Sequence, residues 1–277
     1  MSRSDLAQRY GAWAVVTGAS DGIGRAFAQT LAADGLNLVL SARRGEVLES
    51  LATDLRTRHA IETRVVPLDL SEADAARSLL DATAALPVGL LVAAAGFGTS
   101  GPLLQADPPR ELQMLDVNCR ASLLLAHGFA QRFAAQGRGG IVLMSSLLAF
   151  QGVPRAAHYA ATKAYVQTLA EGLRSELAPL GVDVIACAPG PVHSGFAAVA
   201  DMRMSLALAP QAVARTTLAA LGRRGTVRPG WLSWLLEASL APLPRGLRTR
   251  ILAQVMAGMT AHQSPGQPVA RRQTASD

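Results

Sequence analysis

Short apolar runs alternate with longer amphipathic stretches along most of the chain. The early apolar runs are continuous, which is typical of strands that are covered on both faces. Alternation of such strands with helices predicts right-handed parallel crossovers. The expected fold is an α/β, doubly wound, Rossmann-like parallel sheet in a single domain. Its seven predicted strands span residues 12–16, 38–40, 64–67, 90–94, 141–144, 182–187 and 226–228.

Amphipathic periodicity predicts the helices between these strands. They are expected over residues 23–34, 45–58, 72–85, 109–136, 156–179 and 201–221. Breaks are predicted at the Gly/Arg cluster of residues 137–140 and at the Pro-Gly-Pro of residues 189–191. After Gly195 the alternation loosens, so the remaining chain is expected to elaborate the same domain.

Composition and charge narrow the possible functions. Half of the residues are apolar and no stretch of about 18 uncharged apolar residues occurs, so a globular cytoplasmic protein without a membrane-spanning helix is expected. Residues 223–277 carry the whole net charge of +6, with eight arginines against Glu237 and Asp277. The balanced charge of the main body gives no reason to expect nucleic-acid binding. Cys119 and Cys187 lack a Cys-x-x-Cys partner, so neither a disulfide framework nor a metal site is predicted.

A glycine-rich turn follows the first predicted strand and leads directly into a helix. Gly18 allows a sharp turn, Gly22 lets the backbone approach a pyrophosphate, and Gly24 permits close helix packing. The helix N-terminus offers N–H groups to the anion. The alternative interpretation is a glycine-rich connection without a ligand. The predicted dinucleotide contacts in this turn are Gly18, Ser20, Asp21, Gly22, Ile23 and Gly24.

Arg43 and Arg44 stand after the second strand, where a dinucleotide fold meets the adenosine ribose. A carboxylate at this point binds the 2′-hydroxyl of NAD, whereas a guanidinium group suits a 2′-phosphate. NADP(H) is therefore predicted in preference to NAD(H), with Arg43 the better candidate. The alternative is that both arginines form the solvated first turn of a helix. Asp69 is placed either to contact the adenine or to act as an N-cap just before Ser71.

Tyr159 and Lys163 are the leading catalytic candidates, because their i, i+4 spacing places both side chains on one face of a predicted helix. A neighbouring ammonium group stabilises a phenolate, so Lys163 is predicted to lower the pKa of Tyr159. Lys163 is the only lysine among 26 basic residues, which indicates a specific need for it. The alternative is an ordinary pair on a helix surface.

Further polar residues stand where ligands bind in open α/β sheets. Ser146 ends the fifth strand and its hydroxyl can hold a carbonyl, while Ser145 is either a competitor or a backbone partner. Asn118 lies inside a predicted helix, where asparagine is unfavourable, so either a functional role or a kink or local cap is indicated. His158 is interpreted as a neighbour of Tyr159 and not as a base.

Together these motifs resemble the short-chain dehydrogenase/reductase family over residues 10–230. The opening, residues 13–24, resembles its hydroxysteroid and ketoacyl reductase branch. One departure is Ala93-Ala94-Ala95-Gly96, where the family has Asn-Asn-Ala-Gly, which predicts a weaker hydrogen bond in the sheet or beside the cofactor. The motifs that carry the resemblance are the glycine turn, Asn118, Ser146, Tyr159-x-x-x-Lys163 and Pro189-Gly190-Pro191-Val192.

The resemblance implies roles for these residues. Tyr159 is expected to be the general acid/base, Ser146 to orient the substrate carbonyl, and Lys163 also to bind the nicotinamide ribose. Asn118 is expected to support a water relay. Further cofactor contacts are expected at Arg43, Asp69, Gly96, Pro189, Gly190, Val192 and Ser194.

The leading hypothesis is an NADPH-dependent reductase of a ketone or aldehyde in a hydrophobic small molecule, able to run in reverse as an alcohol dehydrogenase. The alternatives are a non-catalytic dinucleotide sensor and a membrane-surface lipid carbonyl reductase. The apolar residues that indicate a hydrophobic substrate, or else ordinary core packing, are Leu147, Leu148, Phe150, Phe196, Met202 and Met204.

The chain is expected to divide into a dinucleotide-binding catalytic domain (residues 1–230), a helical extension of it (231–263) and a disordered tail (264–277). Within residues 231–259, apolar side chains beside arginines indicate a pocket cover, a subunit interface or a peripheral membrane contact. The resemblance implies a homodimer or homotetramer formed through the helices near residues 109–136 and 156–179.

Overall fold

The computed structural model describes residues 5–203, 207–230, 233, 235, 239–240 and 242–263. Within these residues the chain forms one sheet of seven strands, and every strand pair is parallel. The strands are Trp13–Thr17 (β1), Asn37–Ala42 (β2), Thr63–Pro67 (β3), Val88–Ala93 (β4), Gly139–Met144 (β5), Val182–Cys187 (β6) and Thr226–Val227 (β7). All the predicted strands are confirmed, with their ends shifted by at most a few residues.

Helices connect these strands. They are Asp5–Tyr10 (α1), Gly22–Ala33 (α2), Gly45–His59 (α3), Ala75–Ala82 (α4), Pro108–Leu115 (α5), Ser122–Gln136 (α6), Ala157–Leu177 (α7), Phe196–Val199 (α8), Pro210–Ala220 (α9) and Arg245–Met259 (α10). A π-helical segment, Asp116–Ala121, joins α5 to α6, so the helix predicted over 109–136 is continuous but irregular.

Both faces of the sheet are covered, as the continuous apolar runs predict. Side chains alternate between the two faces of a strand. On one face Ala14 and Val16 of β1 belong to a core cluster with Phe27 of α2. On the other face Val15 belongs to a cluster with Phe129 of α6. The doubly wound architecture is therefore confirmed.

The strand order β3-β2-β1-β4-β5-β6-β7 reverses direction at β1. Strand β1 pairs with β2 on one side and with β4 on the other. In open parallel sheets the crevice outside the carboxyl ends of the strands at such a reversal is where ligands bind. The topology thus places the glycine turn after β1 and the residues after β4 and β5 along one edge.

The helix predicted over residues 201–221 is wrong in its first part. Helix α9 begins at Pro210, which lacks the N–H that a position inside a helix needs. Before it, Leu208 forms a parallel bridge with Val192. This bridge ties the start of α9 to the loop that follows β6.

Two other predicted boundaries also need correction. The helix predicted over 72–85 is shorter, because it begins only after its N-cap residue Asp74. The break predicted at residues 137–140 holds at Gly137, which ends α6 in the left-handed region with φ 66°. Gly139 and Gly140, however, begin β5.

Helix α1 has no counterpart among the predicted elements. It is held by Tyr10, a buried residue whose hydroxyl donates to Asp183 Oδ2 at 2.9 Å. Arg9 Nη2 lies 2.8 Å from the same carboxylate oxygen. These contacts fasten the N-terminal helix to β6, at the end of the sheet opposite the ligand crevice.

The described part of the C-terminal extension packs on the main body. Leu252 and Met256 of α10 are buried in a third cluster that also contains Tyr159 and Met202. Most of residues 231–241 and the predicted disordered tail, 264–277, lie outside the described residues. Over the part of the chain that is described, none of the helices has both the length and the apolar character needed to cross a membrane.

The packing of α10 gives a first testable prediction. Met256→Ala is expected to lower the free energy of unfolding by about 2–4 kcal/mol, because it removes a buried side chain and leaves a cavity. The neighbouring Val255, which is 49% exposed, provides the matched control, and Val255→Ala should change the free energy by less than about 0.5 kcal/mol. Equilibrium urea unfolding measures both. Equal effects of the two substitutions would contradict the burial of this face of α10 against the rest of the protein.

Candidate active site

Ser146 stands just beyond the carboxyl end of β5, where the chain leaves the sheet. Its position is fixed by its neighbours, because Ser145 N donates to Cys187 O at 2.7 Å and Leu147 N donates to Pro189 O at 3.1 Å. These bonds hold the turn after β5 against the end of β6 and the loop that follows. Ser146 is buried, and its Oγ accepts a hydrogen bond from Leu148 N at 3.2 Å.

The competing serine has a different role. Ser145 Oγ donates to Lys163 O at 3.2 Å in a buried contact. Ser145 is therefore the backbone partner that the sequence left open, and Ser146 is the serine available to a ligand. The contact also joins the end of β5 to helix α7, on which the other candidates lie.

Tyr159 lies in the first turn of α7 and is only 7% exposed. Its ring packs against Phe196 with the ring centroids 5.4 Å apart. Burial raises the pKa of Tyr159 to about 12, and a hydrogen bond with Ser146 acts in the opposite direction. The structure thus brings the phenol and the serine hydroxyl together, as the motif spacing predicts.

Lys163 is buried one turn further along α7, with 5% of its surface exposed. Its ammonium group donates to Met144 O at 2.9 Å and lies 5.9 Å from the centroid of the Tyr159 ring. Burial lowers the pKa of Lys163 to about 8. The prediction that Lys163 lowers the pKa of Tyr159 is wrong for this structure. The hydrogen bond with Ser146 is the contact that acts to lower this pKa, because the Lys163 ammonium group is directed to the Met144 carbonyl at the end of β5.

Asn118 lies within the π-helical segment and is almost fully buried. Its Oδ1 accepts from Phe97 N at 3.1 Å, and its Nδ2 donates to Phe97 O at 2.9 Å and to Thr162 Oγ1 at 3.0 Å. The helix irregularity that the sequence offered as one explanation is therefore present, and a functional role for Asn118 stays a prediction. π-Helical turns are frequent at functional sites. Thr162, which completes this network from α7, carries no signal in the sequence.

The glycine turn has the backbone that a phosphate-binding turn requires. Gly18 and Gly22 have φ 66° and φ 50°, which side chains rarely adopt. A Cβ on Gly24 would lie 2.2 Å from Gly18 O, so glycine is required for the helix to approach the strand. The first turn of α2 follows directly, at the crevice between β1 and β4. On these observations the turn fits the diphosphate of a dinucleotide.

Ser20, Asp21 and Ile23 fill the turn in different ways. Ser20 is contacted by Arg44, whose Nη2 lies 3.2 Å from Ser20 Oγ. Asp21 is the N-cap of α2. Ile23 packs its side chain against the core cluster below the turn.

The adenosine end of the crevice is formed by Arg43 and Asp69. The Arg43 side chain is 69% exposed, with Nη1 3.9 Å from Asp69 Oδ2. Asp69 Oδ1 accepts from Ser71 N at 3.0 Å and from Ser71 Oγ at 2.8 Å. This is a local turn and not a helix cap, because α4 begins only at Ala75. Arg43 is thus exposed beside Asp69, and its assignment as the ligand contact stays a prediction.

Gly96 and the departure at Ala93-Ala94 lie next to this network. A Cβ on Gly96 would lie 2.9 Å from Asn118 Oδ1, so glycine is needed there. Ala95 N donates to Thr17 Oγ1 at 3.1 Å. This hydroxyl links β1 to the chain after β4, at the place where a weakened hydrogen bond was expected.

The loop after β6 closes the site from the other side. A Cβ on Gly190 would lie 2.9 Å from Ser233 Oγ, and Val192 is held by its bridge to Leu208. Ser194 faces the glycine turn, since a Cβ on Gly22 would lie 2.7 Å from Ser194 Cβ. Pro189, Gly190, Val192 and Ser194 therefore lie along the wall opposite the turn.

The predicted apolar residues divide between the pocket and its surroundings. Phe196, Leu148 and Met202 belong to, or pack on, the cluster that contains Tyr159. Phe150 instead lies under Arg228, whose guanidinium carbon is 4.4 Å from the ring centroid. Leu147 lies beside Gly190, since a Cβ on that glycine would lie 3.1 Å from Leu147 Cδ1, and Met204 lies outside the described residues.

His158 points away from the phenol of its neighbour. Its Nδ1 lies 2.7 Å from Glu111 Oε2, in a contact between α7 and α5. The interpretation that it is not the base of the site agrees with this placement. Among the residues that the structure covers, no three His, Cys, Asp or Glu side chains are grouped to hold a metal ion.

Comparisons with known sequences place the chain among oxidoreductases. The family model described as short chain dehydrogenase matches residues 12–203. A 7beta-hydroxysteroid dehydrogenase of Clostridium sardiniense is 38% identical over 183 residues, which cover 66% of this chain and 70% of that protein. A very-long-chain 3-oxoacyl-CoA reductase of Phaeosphaeria nodorum is 33% identical over 272 residues, which cover 90% of this chain and 76% of that protein.

Solved structures give the same result. A 7beta-hydroxysteroid dehydrogenase structure, 27% identical, superposes with a TM-score of 0.83 and covers 89% of this chain and 98% of its own. A short-chain dehydrogenase from Sphingobium yanoikuyae in complex with NADPH, 26% identical, has a TM-score of 0.74 over 94% of this chain and 99% of its own. The fold is thus shared with these proteins.

The buried lysine predicts a pH dependence of stability. Because burial lowers the pKa of Lys163 from its ordinary value of 10.5 to about 8 in the folded protein, the unfolded state binds more protons between these values. Stability therefore rises with pH in this window. Relative to Lys163→Met, the wild type should gain about 1 kcal/mol of unfolding free energy between pH 7 and pH 9.

Urea unfolding of both proteins at the two pH values measures this difference. The comparison with Lys163→Met cancels groups common to both proteins, and the upper limit of pH 9 stays below the raised pKa values of Tyr159 and Cys119. A constant difference, or a change in favour of the variant, would show that folding does not lower the pKa of Lys163.

Proposed function

This chain is an oxidoreductase of the short-chain dehydrogenase/reductase family, and we propose that it uses NADP(H) to interconvert a ketone or aldehyde and its alcohol in a hydrophobic small molecule. The resemblance inferred from the motifs is thereby confirmed by the match over residues 12–203. The observation that carries the proposal is the meeting of the Tyr159 phenol with Ser146, beside the buried Lys163.

Each group at the site has a part in the chemistry. The nicotinamide cofactor supplies or accepts the hydride when bound. Ser146 donates a hydrogen bond to the carbonyl oxygen and orients it, and Tyr159 donates the proton to that oxygen. Burial raises the pKa of Tyr159, which keeps the phenol protonated near neutral pH, as the donor in the reductive direction must be, and the hydrogen bond with Ser146 offsets part of the cost of releasing that proton. Oxidation of the alcohol needs the phenolate at the same position.

Lys163 and Asn118 act around this pair. Lys163 is assigned to bind the nicotinamide ribose. Its ammonium group donates a hydrogen bond to the Met144 carbonyl oxygen. Asn118 holds both polar groups of the Phe97 residue and contacts the hydroxyl of Thr162. This network holds the chain after β4 against α7, and it is the assigned anchor of the water relay.

The preference for NADP(H) is supported by the adenosine end of the crevice. Arg43 is an exposed guanidinium group next to Asp69, and the chain has no carboxylate at the end of β2. A guanidinium group matches a phosphate in shape and charge. A structural relative from Sphingobium yanoikuyae was solved with NADPH, which agrees with this assignment.

The substrate is assigned to a bulky hydrophobic class. Phe196, Leu148 and Met202 give the surroundings of Tyr159 an apolar character. The related proteins are named for hydroxysteroids and for very-long-chain 3-oxoacyl-CoA. A 7-oxo steroid and a long-chain 3-oxoacyl thioester, each offered with NADPH, are therefore the first substrates to test. NADPH binding without oxidation by any carbonyl compound would instead support a dinucleotide sensor.

We assign homo-oligomer formation to the face of α5, α6 and α7. This face carries exposed apolar side chains, which are uncommon over large contiguous areas of monomeric proteins. Membrane contact through α10 is less well supported, because Leu252 and Met256 are buried against the body of the protein. The exposed residues of the proposed subunit face are Leu112, Leu115, Leu123, Leu124 and Tyr165.

The catalytic assignment is tested with two tyrosines of one helix. Tyr159→Phe removes only the phenol hydroxyl, so turnover should fall by a factor of about 10²–10⁴ while cofactor binding is retained. Tyr165→Phe makes the same change at a side chain that is 40% exposed on α7, and it should leave kcat within about twofold. Steady-state oxidation of NADPH and fluorescence titration of the cofactor measure both effects. Substantial activity in Tyr159→Phe would refute the mechanism.

The cofactor assignment is tested at Arg43. Arg43→Ala should weaken NADPH binding by about 10- to 100-fold, the scale of a charge-assisted hydrogen bond, and should change NADH binding little. Arg77→Ala, which removes an exposed arginine from α4, is the matched control. Titration of the wild type and of each variant with NADPH and with NADH measures these affinities. Equal losses for NADPH and NADH, or tighter binding of NADH by the wild type, would assign Arg43 to the solvated helix turn.

A further inference from the structure

The carboxylate of Asp21 contacts two segments that are far apart in the sequence. Its Oδ1 accepts from Gly22 N at 2.7 Å, which caps helix α2. Its Oδ2 accepts from Gly195 N at 3.1 Å, across 174 residues. An N-cap needs only one acceptor oxygen. The second oxygen is therefore free to join the glycine turn to the loop after β6.

The backbone at Gly195 is adapted to this contact and not to an unusual conformation. Its φ is −62°, which any residue can adopt. A Cβ at this position would lie 2.5 Å from Asp21 Oδ2, closer than real contacts allow. A side chain at this position would therefore displace the carboxylate from the Gly195 amide. The neighbouring contact of Ser194 with Gly22 brings the same two segments together a second time.

The next residue along the chain reaches the catalytic tyrosine. Phe196 N donates to Ser194 Oγ at 3.3 Å, and the Phe196 ring packs on Tyr159. A Cβ on Gly98 would lie 2.7 Å from Phe196 Cζ and 3.1 Å from Tyr159 Cδ2, so the chain at Gly98 packs closely on both rings. The position of the Gly195 amide therefore determines where this ring lies beside Tyr159.

We propose that Asp21 is a positioning residue for the substrate side of the active site. By accepting the Gly195 hydrogen bond, it holds residues 189–195 against the glycine turn and so keeps Phe196 against Tyr159. The role is separate from helix capping, which uses the other oxygen. The proposal rests on the proposed role of Tyr159. It explains why a carboxylate, and not a single-oxygen cap such as serine, stands in this turn.

Two substitutions break the contact from its two sides. Asp21→Ser keeps a favourable N-cap residue but has one oxygen on a shorter side chain, so it cannot reach Gly195. Gly195→Ala keeps the carboxylate but forces it away through the added methyl group. Because both act on one contact, the double variant should behave almost like either single variant, as a double-mutant cycle detects.

Two measurements read out the result. Amide hydrogen exchange followed by mass spectrometry should show faster exchange of residues 189–199 in each single variant. At saturating NADPH, the KM for the faster of the 7-oxo steroid and the 3-oxoacyl thioester should rise by about tenfold, the scale of a hydrogen bond to a charged group. We expect kcat to fall by less than KM rises, because the substrate wall moves while Ser146 and Tyr159 stay on their elements. Asp74→Ser, at an exposed N-cap without a side-chain capping bond, is the control for charge and cap chemistry.

The outcomes separate this inference from the proposed function. Unchanged exchange in residues 189–199, or fully additive effects in the double variant, would overturn the role of Asp21. A weaker cofactor affinity with an unchanged substrate KM would also overturn it, since Asp21 would then act only on the cofactor. If the wild type reduced no carbonyl compound, the proposed function would fail, and the proposal with it, while the exchange data would still establish whether the contact exists.

Discussion

The reversal of strand order at β1 is the constraint on which the rest of the structure depends. Parallel strands have their carboxyl ends at one edge, and the helices that follow them must cover opposite faces on either side of the reversal. A crevice therefore opens at the ends of β1 and β4. The glycine turn, the chain around Gly96 and the serine after β5 all reach this edge without any long loop.

Burial decides the chemistry of the groups that meet there. Lys163 and Tyr159 are both removed from water, which opposes a charge on either of them. The lysine is held by a backbone carbonyl at the end of β5, and the tyrosine by Ser146 and Phe196. Burial thus holds the phenol in its neutral form, and the hydrogen bond with Ser146 is the contact that favours release of its proton. The same desolvation makes the exact placement of each partner matter more than it would at an exposed surface.

Contacts between the walls of the crevice give the site its shape. Asn118 ties the chain after β4 to α7, and Asp21 ties the glycine turn to the loop after β6. Helix α10 adds a further wall, through Leu252 and Met256 in the cluster around Tyr159. The substrate side is therefore built from segments separated by most of the chain, and its apolar character comes from several of them together.

The sequence by itself determined the seven strands, the glycine turn and the pairing of Tyr159 with Lys163, because these depend on local periodicity and on residues only a few positions apart. It grouped Ser146 with them through the position of that serine at a strand end and through the family resemblance. It also indicated that Asn118 was out of place in a helix. The start of the helix predicted over 201–221 could have been set at Pro210, because proline lacks the N–H that a position inside a helix needs. The tertiary structure decided what depends on distant partners: the turn of Lys163 toward Met144 O, the pairing of Asn118 with Thr162, the bond from Gly195 to Asp21, and the packing of α10. Each of these is a contact between elements whose separation in space is set by the packing of the whole sheet and its helices, and no local pattern in the chain records that distance.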